Sequence, residues 1–156
     1  LILDADILHN PELPKLLPLL KKPILTPHPK EFAGLLELAN LGKFDAGEVQ
    51  KNRFKLAQIF SQNFKCVLVL KGANTLIAQG GEVYVMTHGS AALAKGGSGD
   101  ALSGIVAGLL TQDYDPLNAA ISGTLAHALA AREIKINDYA LTAADVIKGL
   151  KCLRKK

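Results

Sequence analysis

A glycine-rich segment in the second half of the chain has the residue types that bind phosphate. Its residues are Gly96, Gly97, Ser98, Gly99 and Asp100. Successive glycines let the backbone turn so that several N–H groups point into one concavity, which attracts anions. A predicted helix, which begins at residue 99 or 100 and runs to 111, would add the positive end of its dipole. The segment therefore predicts a site for a phosphate-bearing small molecule.

Asp100 indicates that a reaction takes place at this segment in addition to binding. A carboxylate beside a phosphate is unfavourable if the site only binds the phosphate. It is useful if it takes a proton from a hydroxyl that then attacks a phosphoryl group. The alternative is that Asp100 lies in the first turn of the helix and interacts only with the helix dipole. Because small residues precede it, we interpret Asp100 as a catalytic base.

A second polar segment follows an apolar run at residues 66–70, which predicts a buried strand. Ligands of α/β proteins bind at the carboxyl ends of such strands. The alternative is a polar turn that only connects two strands. The residues of this segment are Lys71, Gly72, Ala73, Asn74 and Thr75.

Four segments together resemble the ADP- or ATP-dependent NAD(P)H-hydrate dehydratases of the ribokinase-like superfamily. They follow the family's order and span most of the chain. Their residues are Leu3-Asp4-Ala5-Asp6, Thr26-Pro27-His28-Pro29-Lys30-Glu31-Phe32, Leu70-Lys71-Gly72-Ala73-Asn74-Thr75, and Gly96-Gly97-Ser98-Gly99-Asp100 with Leu102-Ser103-Gly104.

The resemblance implies repair of hydrated NADH or NADPH, with ADP or ATP as the phosphoryl donor. Asp100 would contact this substrate and deprotonate its ring hydroxyl, and elimination of phosphate would restore the cofactor. The nucleotide would bind to Lys71–Thr75 and Gly96–Gly99, and His28 would contact the hydrated nicotinamide. Mg²⁺ would be carried by the nucleotide phosphates with few direct protein ligands. The four histidines of the chain do not have the spacing of a metal site.

Two other functions fit the same residues. A ribokinase-like kinase for a vitamin precursor would use the same glycine-rich turn and the same base. A nucleotide-binding module without catalysis is the third possibility, because the chain is shorter than the domain that it resembles. We favour the ADP-dependent dehydratase, a lyase.

Alternating apolar strands and helices predict one α/β domain over residues 1–156, with a mainly parallel sheet covered by helices. The resemblance makes this fold ribokinase-like. The predicted strands are 1–4, 23–26, 66–70, 75–78 and 83–86, and the predicted helices are 11–20, 29–40, 48–64, 99–111, 116–133 and a last one that Thr142 caps and that ends at Lys151.

The amino-acid composition bears on the class of protein, its partners and its location in the cell. Apolar residues make up 49% of the chain and charged residues 21%, which is typical of a globular protein. The net charge of +4 comes from a basic C-terminal tail, Lys151 and Arg154–Lys156, which we interpret as a solvated helix end. No basic stripe with aromatic residues occurs elsewhere, so nucleic acid is not an expected partner. No apolar run is long enough to span a bilayer, so no membrane partner is expected either.

Two cysteines predict no disulfide framework. Because we find no signal-peptide pattern, a cytoplasmic protein is expected. We also expect a homo-oligomer. Because the chain opens on an apolar strand, we expect an N-terminal half, and possibly an epimerase domain, to precede it in the parent protein.

Overall fold

The structure, a computed structural model, describes residues 1–153. These residues form two compact units, Leu1–Val85 and a second unit that begins at Met86. Lys151 of the basic tail is exposed, whereas Arg154–Lys156 lie outside the described residues. The expectation of one domain over the whole chain stays a prediction.

The first unit contains a five-stranded sheet in the order β1-β2-β3-β4-β5. Strands β1, β2 and β3 are parallel, with Ile2 opposite Ile24 and Ile24 opposite Val67. Strand β4 pairs with β3 and β5 in the antiparallel direction. The strands are β1 (Ile2–Leu3), β2 (Ile24–Leu25), β3 (Val67–Leu70), β4 (Leu76–Gln79) and β5 (Glu82–Val85).

The sheet confirms the α/β prediction but is more mixed than expected. Strand β3 lies in the centre and is buried along its length, yet it has a parallel partner on one side only. The reason is the connection of residues 71–75 between β3 and β4, which is too short for a parallel crossover. Gly80 and Gly81 then turn β4 into β5, with φ values of 59° and 91°, as a two-residue hairpin requires.

Helices pack on one face of this sheet and form the core of the first unit. The core includes Leu25 and Leu68 from the sheet and Phe32 and Phe60 from two helices. The helices of this unit are α1 (Leu13–Leu16), α2 (Pro29–Leu38) and α3 (Ala46–Asn63), with 3₁₀ turns at Ala5–His9 and Leu17–Leu19. Helix α3 begins two residues earlier than predicted because Asp45 caps it by accepting the N–H of Glu48.

Three helices form most of the second unit. They are α4 (Ser98–Leu110), α5 (Pro116–Glu133) and α6 (Ala143–Gly149), with 3₁₀ turns at Ala91–Leu93 and Leu150–Cys152. The capping of α6 by Thr142 is confirmed, but the α-helix ends at Gly149 and a 3₁₀ turn follows. A Cβ on Gly123 would lie 2.6 Å from the Val106 side chain, so α4 and α5 approach closely there. Within the described residues, no helix is both long and apolar enough to cross a bilayer.

Candidate functional site

A polar residue follows each of the three parallel strands at its carboxyl end. Asp4 follows β1, Thr26 follows β2 and Lys71 follows β3. The backbone N–H of Thr26 donates to the carbonyl of Leu3 at 3.1 Å, and that of Lys71 donates to the carbonyl of Pro27 at 2.9 Å. These bonds extend the strand ladder, so the polar residues sit at the edge where α/β sheets bind ligands.

Lys71 lies between two carboxylates at this edge. Its ammonium is 3.0 Å from the carboxylate of Asp4 and 3.8 Å from that of Glu31. The three side chains are only 10–22% exposed. The pairing compensates the charge of Lys71 and fixes the direction of its side chain.

His28 caps helix α2 and is linked to the same cluster. Its Nδ1 accepts the backbone N–H of Glu31 at 3.1 Å, and the carboxylate of Glu31 accepts the N–H of His28 at 2.7 Å. Because Nδ1 is an acceptor, a neutral His28 carries its proton on Nε2, which lies 3.4 Å from a carboxylate oxygen of Glu31. About half of the His28 side chain is exposed, so it can still contact a ligand.

The predicted nucleotide-binding segment forms the turn from β3 to β4. Gly72, Ala73 and Asn74 are exposed. The hydroxyl of Thr75 donates to the carbonyl of Gly72 at 3.2 Å and closes the turn. The structure therefore places Lys71, the first residue of this turn, beside Asp4 and Glu31 within the first unit.

The glycine-rich turn opens helix α4 in the second unit. Gly97 is the N-cap residue with φ of 81°, a left-handed conformation that favours glycine. This conformation explains why the helix begins at Ser98, one residue earlier than predicted. Among the described residues, nothing accepts the N–H groups of Gly99 and Asp100. Two unpaired N–H groups at a helix N-terminus are the donors that an anion requires.

Asp100 occupies the third position of α4, where a carboxylate commonly closes a capping box. The corresponding residues of α2, α3 and α6 do so, since Glu31, Glu48 and Asp145 each accept the N–H of their N-cap residue. Asp100 is exposed and has no hydrogen-bond or ion-pair partner among residues 1–153. It therefore makes no capping bond and is available to act as a base.

Side chains of the same unit hold the glycine-rich turn in place. The hydroxyl of Ser98 lies 3.3 Å from Nε2 of His127 on α5, and both residues are buried. Burial lowers the pKa of His127, so the imidazole is neutral near pH 7. On the other side, the ammonium of Lys95 donates to the carbonyl of Leu141 at 3.0 Å and to that of Asp138.

A model of the NAD(P)H-hydrate dehydratase family matches residues 1–151. The chain belongs to the NAD(P)H-hydrate dehydratase family. The chain is 50% identical over 153 residues to the bifunctional NAD(P)H-hydrate repair enzyme Nnr of Helicobacter pylori. It is 38% identical over 153 residues to the ADP-dependent (S)-NAD(P)H-hydrate dehydratase of Neisseria meningitidis.

The alignments cover nearly all of this chain but only part of each relative. They include 97% and 95% of the chain, against 32% of the Helicobacter protein and 49% of the Neisseria protein. The chain therefore spans about a third to a half of the length of these curated relatives.

Solved structures confirm the predicted ribokinase-like fold. The ADP/ATP-dependent NAD(P)H-hydrate dehydratase of Bacillus subtilis, co-crystallized with ATP/Mg²⁺, matches with a TM-score of 0.82 at 31% identity. The match covers 97% of this chain and 52% of that one. A ribokinase-like superfamily protein of Enterococcus faecalis matches with a TM-score of 0.74 at 24% identity over 97% of this chain and 50% of that one, a likeness of fold.

The structure of this member of the dehydratase family adds residues to the candidate site that the sequence analysis did not select. Asp4 and Glu31 were part of recognised motifs, and their position after or beside a strand end could have suggested a site. His127 was assigned to packing; it is buried, as expected, but it also contacts Ser98 of the glycine-rich turn. Lys95 and Arg53 gave no signal, because a lone cation before a loop or on a helix is usually solvated.

Residues 1–153 offer few side-chain ligands for a divalent cation. No group of three or more His, Cys, Asp or Glu side chains within residues 1–153 has the arrangement of a metal site. Asp4 and Glu31 supply carboxylates, but Lys71 lies within ion-pair distance of both. The donor set does not fit a metal cage built by these residues alone.

Proposed function

We propose that this chain carries the catalytic part of a dehydratase that repairs hydrated NADH or NADPH with a nucleotide, ADP or ATP. The observation that carries the proposal is the free carboxylate of Asp100 on a helix whose N-terminal N–H groups are also free. Family membership supports the dehydratase over the kinase and over a binding module.

In the proposed reaction, Asp100 takes the proton of the ring hydroxyl. The hydroxyl oxygen attacks the terminal phosphoryl group of the nucleotide, and the bond from that group to the leaving nucleotide breaks. The N–H groups of Gly99 and Asp100 stabilise negative charge on the transferred group. Departure of phosphate, together with transfer of a ring proton to water, then forms the double bond of NADH. Phosphate is a better leaving group than hydroxide, so phosphorylation makes this elimination possible.

The residues of the first unit are proposed to bind rather than to react. Lys71 and the turn that ends at Thr75 hold the nucleotide, and His28 contacts the hydrated nicotinamide through its exposed edge. Mg²⁺ enters with the nucleotide phosphates, which supply the oxygen ligands that it prefers.

The test is a product assay on the protein that carries this chain, with any sequence that its gene encodes ahead of Leu1. Hydrated NADH and ADP are added, and NADH absorbance, AMP and phosphate are measured together. The proposal expects the three products in equal amounts. A stable phosphorylated alcohol would indicate the kinase, and nucleotide binding without any product would indicate a binding module. Either result would contradict the dehydratase.

A further inference from the structure

Arg53 of helix α3 lies against the carboxyl end of strand β3. Its Nη2 donates to the carbonyl of Leu70 at 3.2 Å. Leu70 is the last residue of β3 and directly precedes Lys71. The guanidinium therefore fixes the backbone where the chain leaves the sheet.

The same guanidinium packs against Gly72. A Cβ on Gly72 would lie 2.9 Å from both Nη atoms and 3.3 Å from Cζ of Arg53. Gly72 has no positive φ, so its backbone conformation does not demand glycine. A Cβ at this position would displace the flexible end of the Arg53 side chain, so the contact with Arg53 favours glycine here. Arg53 thus contacts the residues on both sides of Lys71.

Helix α3 is distorted next to Arg53. Asn52 has φ of −114° and ψ of 15°, outside the helical range, and its side-chain amide donates to the carbonyl of Glu48 at 3.0 Å. Such an inserted side chain is a known cause of helix kinks. The kink directly precedes Arg53, where it changes the direction of the chain.

The positive charge of Arg53 is not compensated by the protein. Its Nε is buried without a hydrogen-bond partner, and within residues 1–153 no carboxylate forms an ion pair with it. Burial lowers the pKa of the guanidinium from its ordinary value, although arginine keeps its proton. A half-buried cation with an unpaired buried N–H lowers the stability of the fold, so stability alone does not account for an arginine at this position.

We propose that Arg53 is a positioning residue for the nucleotide, acting through Leu70 and Gly72 on the turn of residues 71–75. The inference rests on the proposed role of that turn in nucleotide binding. Asp4 and Glu31 direct the side chain of Lys71, while Arg53 holds its backbone. The hydroxyl of Thr75 donates to the carbonyl of Gly72, so the position of Gly72 also affects the position of Thr75 at the end of the turn.

A double-mutant cycle tests the coupling between Arg53 and Gly72. The variants are Arg53→Ala, Gly72→Ala and the double variant, with Lys55→Ala as control because Lys55 is an exposed cation on the same helix. Calorimetry measures the Kd for ADP and for ATP. Each single change to Arg53 or Gly72 is expected to weaken binding about tenfold, the equivalent of one hydrogen bond. The double variant is expected to bind no worse than either, and Lys55→Ala to bind like wild type.

A second readout separates positioning from simple stabilisation. In the repair assay, Arg53→Ala and Arg53→Lys are expected to raise the KM for the nucleotide about tenfold and to change kcat less than about threefold. Arg53→Lys keeps the positive charge, and it replaces Arg53→Ala in the assay if the alanine variant does not fold. If Arg53→Ala and Arg53→Lys both bind the nucleotide as wild type does, or if the losses in the double-mutant cycle are additive, the role of Arg53 is overturned while the proposed function still stands. A wild type that binds neither nucleotide would overturn the proposed function as well.

Discussion

The ammonium of Lys71 lies 3.0 Å from the carboxylate of Asp4, although 67 residues separate them in sequence. The two residues follow β3 and β1, which are not neighbours, because β2 lies between them. The ion pair therefore joins the ends of strands that share no backbone hydrogen bond. Glu31 lies in the first turn of helix α2, which follows β2. Its carboxylate is 3.8 Å from the ammonium of Lys71 and completes the cluster.

The first prediction concerns this ion pair. Asp4→Asn is expected to lower the free energy of unfolding by about 2 kcal/mol, since it leaves a mostly buried ammonium with one distant carboxylate. The matched control is Glu12→Gln, which breaks the exposed pair of Glu12 and Lys15 at 2.9 Å. That change is expected to cost less than about 0.5 kcal/mol. Urea unfolding measures both, and equal losses would contradict the importance of burial here.

The second prediction concerns the backbone of the glycine-rich turn. Gly97→Ala is expected to lower the free energy of unfolding by about 1–2 kcal/mol, because φ of 81° is unfavourable for alanine. Its Cβ would also lie 3.3 Å from that of Ala143. Gly96→Ala is the control, since Gly96 has no positive φ and none of the described residues lies within 4 Å of its Cβ position. Thermal unfolding should show a loss for Gly97→Ala only, and a similar loss in both variants would argue against the left-handed cap.

The third prediction concerns pH. Burial lowers the pKa of His127 in the folded state below the ordinary 6.5. Below pH 6.5 the unfolded chain therefore binds more protons at this residue, so folding stability falls as the pH decreases from 6.5 through the folded pKa. His127→Gln removes this dependence while keeping a polar partner for Ser98.

The measurement is urea unfolding of wild type and His127→Gln at about pH 7 and about pH 5. The other histidines titrate in both proteins, so the difference between the two proteins isolates His127. Wild type is expected to lose more stability on acidification than the variant. An identical loss would show that His127 is not held neutral by its surroundings.

Local sequence patterns predicted the elements but not which residues they bring together. The apolar run before Lys71 predicted a buried strand, and Thr142 predicted a helix cap, because both depend on near neighbours in sequence. The pairing of Lys71 with Asp4 depends on the strand order, which no local pattern encodes. The antiparallel direction of β4 could have been predicted from the shortness of the connection after β3.

Arg53 shows a second limit of sequence reasoning. Helix α3 was predicted from its apolar face, and an arginine off that face is usually solvated. Its contact with Gly72 is a tertiary contact between α3 and the end of β3, which the sequence of the helix alone does not specify. The free state of Asp100 was equally hidden, since Glu31, Glu48 and Asp145 occupy the same position in their helices and are all engaged in caps.

The central claim is that Asp100 is the base of the repair reaction, and Asp100→Asn tests it most directly. Hydrated NADH and ADP are supplied, and the return of NADH absorbance is followed beside the Kd for ADP. Asp113→Asn is the control, because it removes an exposed carboxylate just beyond the other end of the helix. The account predicts that Asp100→Asn lowers kcat by at least about a hundredfold and still binds ADP, whereas Asp113→Asn behaves like wild type. Turnover by Asp100→Asn at the wild-type rate would contradict the claim.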